Sequence, residues 1–127
     1  VADMAYPATN IPAMAGADCL NTTQTYPQKT RWEMLDPEGE YEDIYNRYCH
    51  IRASLGSKTM LELVSTDYVE VTLSPEDLKK LNIRYIVSTN DFDEKIAAGT
   101  TNIFTDSGIE FQKYYEGTQL SIYGCVY

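Results

Sequence analysis

The sequence predicts a single α/β domain of the α+β kind, a mixed β-sheet with short helices at its flanks. Three observations lead there. From Cys49 onward the apolar residues recur with a period near two, as half-buried strands require. Short helical stripes precede and interrupt those strands. The 127 residues, 43% of them hydrophobic, suffice to close one modest core but not two, so the whole of 1–127 is read as one domain.

Residues 1–27 form an irregular lead-in. Pro7, Pro12, Gly16 and Pro27 punctuate it, and no helical or strand period persists. It is expected to pack through Tyr6, Ile11, Leu20 and Tyr26. Asn21-Thr22-Thr23 fits a glycosylation sequon, a triplet that chance produces often.

Two short helices follow. Gln28–Leu35 places Trp32 and Leu35 on one face, and Asp36-Pro37 stops it. Glu40–Tyr48 sets Tyr41, Ile44, Tyr45 and Tyr48 at i, i+3, i+4 and i+7, with Gly39 breaking the chain before it. Cys49–Leu55 then reads as a strand. Thr59–Ser65 and Tyr68–Leu73 read as a hairpin pair, with Val69, Val71 and Leu73 facing inward.

The clearest local signal is Ser74-Pro75-Glu76-Asp77-Leu78-Lys79-Lys80-Leu81. Ser74 suits an N-cap and Pro75 the first helical position. Acids lie at the positive end of the helix dipole and lysines near the negative end. Ile83–Val87 follows as a buried strand, so the stretch suggests a βαβ-like unit with a short crossover. Asp91–Ala98 reads as a helix ended by Gly99. Ile109–Tyr115 and Gln119–Tyr127 read as a closing hairpin, with Leu120, Ile122 and Val126 inward.

Charge and cysteines narrow the function. Nineteen acids against ten bases give a net charge of −9, with no basic stripe, so nucleic acid and anionic lipid headgroups are not expected as partners. Cys19, Cys49 and Cys125 are odd in number and far apart, the pattern of buried thiols rather than a disulfide framework. The sequence has no apolar run near the ~20 residues of a membrane helix. A chain that begins at Val1 is expected to be a piece of a larger protein or a processed product.

No motif for a self-contained reaction emerges, and the domain by itself is expected to be neither an enzyme nor dependent on a metal or cofactor. One histidine and three scattered cysteines lack zinc spacing. Adjacent strand positions would point Cys49 and His50 to opposite faces. Gly56-Ser57-Lys58-Thr59 echoes the end of a phosphate-binding loop, but Ile51 stands where its first glycine belongs, so a hairpin turn is the better reading. Asp91-Phe92-Asp93 resembles a metal-holding acid triplet, yet Glu94 and Ala97-Ala98 make it the first turn of a helix. No motif singles out a pair of acids for glycoside hydrolysis.

The run Leu81-Asn82-Ile83-Arg84-Tyr85-Ile86-Val87-Ser88 resembles a segment in the extracytoplasmic portions of large bacterial multi-spanning proteins, the YfhO-like group and other glycosyltransferases of the C-type (GT-C) architecture. Leu120-Ser121-Ile122-Tyr123 resembles their closing strand. Tyr26-Pro27, Trp32, Leu35-Asp36 and Tyr45–His50 resemble segments of related membrane proteins of Gram-positive bacteria. The likeness runs over residues 26–127. It implies an extracytoplasmic domain of a membrane glycosyltransferase in cell-envelope glycan assembly. Its partners would be the transmembrane part of the same polypeptide and a glycan or lipid-linked sugar. No residue matches the family's catalytic loop. The alternative is a free-standing secreted binding module.

The densest polar and aromatic run, Tyr45-Asn46-Arg47-Tyr48-Cys49-His50, supplies the candidate binding residues. Tyr45 and Tyr48 serve an apolar stripe, and Arg47 suits a pair with Asp43 at i−4. The functional reading is that Asn46, Arg47 and His50, with Trp32 nearby, line a polar groove. Amide and guanidinium groups bond hydroxyls and phosphates directionally, and aromatic rings offer flat faces to sugars.

Overall fold

The computed structural model describes residues 2–3, 10–89, 94 and 102–127. Asp91-Phe92-Asp93, the helix expected over 91–98 apart from Glu94, Gly99, Tyr6 and Pro7 lie outside them. In chain order the first elements are β1 (Ala2–Asp3), α1 (Ile11–Met14), β2 (Thr23–Gln24), α2 (Lys29–Leu35), α3 (Glu42–Tyr45) and β3 (Cys49–Leu55). Then come β4 (Met60–Ser65), β5 (Tyr68–Leu73), α4 (Pro75–Lys80), β6 (Tyr85–Ser88), α5 (Asn102–Asp106), β7 (Glu110–Glu116) and β8 (Ser121–Val126).

The strands form two four-stranded sheets, ordered β2-β3-β5-β4 and β1-β6-β8-β7. Both mix parallel and antiparallel pairs: β3 runs parallel to β5 and β1 to β6, and the other pairs are antiparallel. One buried cluster joins the two sheets. It takes Ile51, Val69 and Val71 from the first sheet, Ile86 and Tyr123 from the second, and Trp32, Leu35, Leu78 and Phe104 from helices. A single core shared by two mixed sheets and short helices makes this one small α+β domain.

Two connections differ from their sequence reading. Because β5 lies between β3 and β4, the turn Gly56–Thr59 does not join neighbouring strands. It arches over the end of β5, across two strand spacings or about 10 Å. Gly56 donates its N–H to the Leu73 carbonyl at 2.9 Å. A Cβ there would stand 2.4 Å from Thr72 Cγ2, so the close crossing needs glycine. The βαβ reading is also corrected: β5 and β6 belong to different sheets. Six helical residues are too few to return a chain parallel to itself, and α4 instead carries it from one sheet to the other.

α4 is built as its residues dictate. The Ser74 hydroxyl accepts from Asp77 N–H, and Asp77 Oδ2 accepts from Ser74 N–H at 2.8 Å, which completes a capping box. Thr59 Oγ1 adds a 2.6 Å bond to the same oxygen and ties the arch to the helix. At the other end Asn82 adopts φ 50°. Asn82 N–H bonds the Lys79 carbonyl at 3.1 Å and Ile83 N–H the Leu78 carbonyl at 2.9 Å, a Schellman ending with asparagine in the usual glycine place. The Tyr127 hydroxyl donates to the Leu78 and Ile83 carbonyls, so the last residue of the chain clamps this turn.

Elsewhere local pattern gives way to packing. The lead-in contains β1, α1 and β2, where proline-rich composition promised no regular element. The helix expected over 40–48 is the single turn α3, and Tyr48 is 52% exposed rather than part of the stripe. α5 had no signal in the sequence reading. On β8 the inward residue is Tyr123, with Cys125 also packed on the core; Ile122 is half-buried and Val126 is exposed. A period of two fits either face, and the larger ring wins the interior. A register shift between Lys113 and Tyr115 marks a bulge, and Tyr114 lies against Gly124, where a Cβ would stand 2.3 Å from the ring.

Candidate functional site

The site grows from a buried glutamine. Gln24 on β2 is 6% exposed and joins three segments. Its Nε2 donates to the carbonyls of Tyr45 at 2.7 Å and Arg47 at 2.9 Å, and its Oε1 accepts from Trp32 Nε1 at 2.7 Å. Backbone carbonyls that leave α3 in a broken turn need such a donor once water is excluded. The bonds hold Trp32 of α2 and Tyr45 of α3 in register. Their rings stack with centroids 4.6 Å apart and planes 6° from parallel.

This stack meets a groove of about 490 Å³ between α2 and α3. Trp32 is only 1% exposed, so the half-buried Tyr45 presents most of the aromatic surface. Glu33, Asp36, Glu38, Glu42, Lys29 and Asn46 also line the groove. Lys29 lies 3.7 Å from Glu33 on an exposed helix face, a pair that adds little to stability. Asp36 accepts from the N–H groups of Glu40 at 3.0 Å and Tyr41 at 2.8 Å and so fixes the rim. Burial pushes the Tyr45 hydroxyl above its ordinary pKa, and the charges of Asp36, Glu42 and Glu33 add to that. Tyr45 therefore stays a neutral donor and acceptor beside an acidic rim.

The sequence-predicted binding residues divide. Trp32 and Asn46 line the groove, Trp32 as the backing of the stack. Arg47 and His50 do not line it. The Arg47 guanidinium bonds the carbonyls of Ile44, Asp43 and Thr66. Its partner at i−4 is thus the Asp43 main chain rather than the carboxylate, and its fork closes the turn after α3. His50 is exposed on β3, with Nδ1 2.9 Å from Thr23 Oγ1 across the β2–β3 pair and its ring edge-on to Tyr48. Cys49 is buried while His50 is exposed, so the two neighbours point apart. Sequence reasoning missed Gln24, because a glutamine among prolines and threonines carries no local signal.

Among the described residues, no three His, Cys, Asp or Glu side chains converge to hold a metal ion, although the groove is rich in acids. Cys19, Cys49 and Cys125 are free thiols. Burial raises Cys125 to about 11 and also raises Cys49, which makes both poor nucleophiles. No helix among the described residues is long and apolar enough to cross a membrane. The groove offers neutral and acidic hydrogen-bonding groups around an aromatic face, which equips it for binding. The sequence matches one family along its whole length, residues 1–127. The chain belongs to the DUF7654 family, a domain of unknown function. No curated protein and no solved structure matches it.

Proposed function

We propose that this chain is a non-catalytic, extracytoplasmic domain of a larger bacterial membrane protein, a GT-C-like glycosyltransferase of cell-envelope glycan assembly, and that the groove between α2 and α3 receives a sugar ring. The observation that carries the glycan reading is the Trp32–Tyr45 stack lining a groove with Asn46 and several carboxylates. A ring backed by another ring gives a rigid flat face at little entropic cost. Carboxylate and amide groups around it bond sugar hydroxyls as acceptors and donors. The membrane placement rests on the resemblance at Leu81–Ser88.

Two measurements test this. In a nitrogen-15 NMR titration of the 127-residue chain with short cell-envelope oligosaccharides, saturable shifts are expected at Asn46, Tyr45 and the Trp32 indole, and they disappear in Tyr45→Ala. Shifts that persist in that variant, or a flat titration across the panel, overturn the glycan reading. The gene that encodes this chain is expected to encode several apolar spans of ~20 residues as well. A gene without them overturns the membrane reading.

A further inference from the structure

A second cavity, of about 650 Å³, lies away from the aromatic groove. One side is the segment from Pro12 to Leu20, one is α2 through Arg31, and one is the α4–β6 connection through Leu81–Tyr85. Its walls mix polar and apolar surface in nearly equal parts, and Arg31 and Arg84 are among the residues that line it. Such an arrangement is unexpected in a chain with 19 acids and ten bases, where an arginine has carboxylates to choose from.

Most of the other lysines and arginines among the described residues have a partner for the side chain, the exceptions being Lys58 and Arg52, whose Nε is buried without one. Lys29, Lys80 and Lys113 pair with glutamates, Lys79 bonds the Ser107 carbonyl, and Arg47 bonds three carbonyls. Among the described residues, neither the Arg31 nor the Arg84 guanidinium has a hydrogen-bond or ion-pair partner. Asp18 also lines the cavity and acts on Arg31 only at longer range. Arg31 is half-buried, and burial lowers its guanidinium from the ordinary value, with Asp18 partly offsetting the shift. A half-buried cation without a close counter-charge carries an unmet desolvation cost that a bound anion would relieve.

The backbone that presents Arg84 is stiff. The Schellman turn at Leu81–Ile83 fixes the chain before it, and the Tyr127 hydroxyl bonds the Leu78 and Ile83 carbonyls. The Arg84 carbonyl accepts from Cys125 N–H at 2.8 Å, which locks the residue to β8. Arg31 is anchored through the helix that also holds buried Trp32.

We propose that this cavity binds an oxyanion, a carboxylate or a phosphate ester carried on a small organic body, with Arg31 and Arg84 as its two cationic contacts. Guanidinium forks match planar carboxylates and phosphate oxygens with paired N–H donors, and the apolar part of the lining, from Leu20, Leu81 and Ile83, accepts the remainder of the ligand. The site is independent of the aromatic groove and of the glycan reading.

The test observes the Nε–H signals of Arg31 and Arg84 by NMR in the 127-residue chain. The probes are inorganic phosphate, glucose 1-phosphate, glucuronate and neutral glucose, with ionic strength held constant by sodium chloride. Saturable shifts of both arginine signals are expected with at least one anionic probe and none with glucose. Comparison of glucose 1-phosphate with glucuronate tells which oxyanion is preferred. Arg84→Gln, at an exposed side chain, is expected to weaken binding about tenfold without loss of fold, and Arg31→Lys to weaken it through loss of the fork. Responses no larger than those to chloride, or affinity unchanged in Arg84→Gln, overturn the proposal.

Discussion

Replacing Gln24 with alanine tests the structural origin of the groove most directly. The substitution removes three bonds of 2.7, 2.9 and 2.7 Å that meet at one side chain. Each is worth roughly 1 kcal/mol net in an ordinary setting. The indole N–H of Trp32 weighs more, because a donor 1% exposed cannot turn to water and an orphaned buried donor costs about 1–3 kcal/mol. The carbonyls of Tyr45 and Arg47 are nearer the surface and recover part of their loss through hydration. The expected destabilisation is therefore about 3 kcal/mol, a large share of the roughly 5–15 kcal/mol that holds a domain together. Urea unfolding followed by far-ultraviolet circular dichroism reads the loss. Fluorescence from Trp32, the only tryptophan, reports the stack in the same samples. Gln24→Glu keeps an acceptor for the indole but turns a charged oxygen toward two carbonyls, so it is expected to be at least as damaging. A loss below about 1 kcal/mol for Gln24→Ala, with an unchanged dependence on urea, would refute the view that this glutamine holds β2, α2 and α3 together.

Two further predictions concern the second sheet. Gly124→Ala forces the Tyr114 ring aside and is expected to cost about 1–2 kcal/mol by overpacking; in a Tyr114→Ala background the cost should largely vanish, and additive costs in thermal unfolding would exclude the contact. The domain is also expected to lose stability in alkali. Cys125 is raised from 9 to about 11 and Tyr127 is raised above its ordinary 10, both chiefly by burial, so the folded state holds those protons more tightly than the unfolded chain. Their contribution is fully present below pH 9 and is lost as pH rises through the folded values, for Cys125 between pH 9 and about 11. Urea midpoints that stay level from pH 8 to 11, or a decline identical in Cys125→Ala, would contradict this.

What the sequence determined by itself was local and periodic. Ser74, Pro75 and Asp77 specify a helix start whatever surrounds them, because cap, proline and acid act on neighbouring backbone groups. The alternation of Val69, Val71 and Leu73 specifies a strand with one face buried. Trp32 and Leu35 mark the inner face of α2. The tertiary structure decided everything that joins distant residues. It set β5 between β3 and β4, sent β6 to another sheet and turned Tyr123 rather than Ile122 inward, since alternation fixes a period but not a neighbour or a face. It also brought Trp32 against Tyr45 through Gln24, and Arg31 to the same cavity as Arg84. Those residues stand 13, eight and 53 positions apart in the chain. Over such separations no local propensity acts, and only the closing of a shared core selects which polar groups meet.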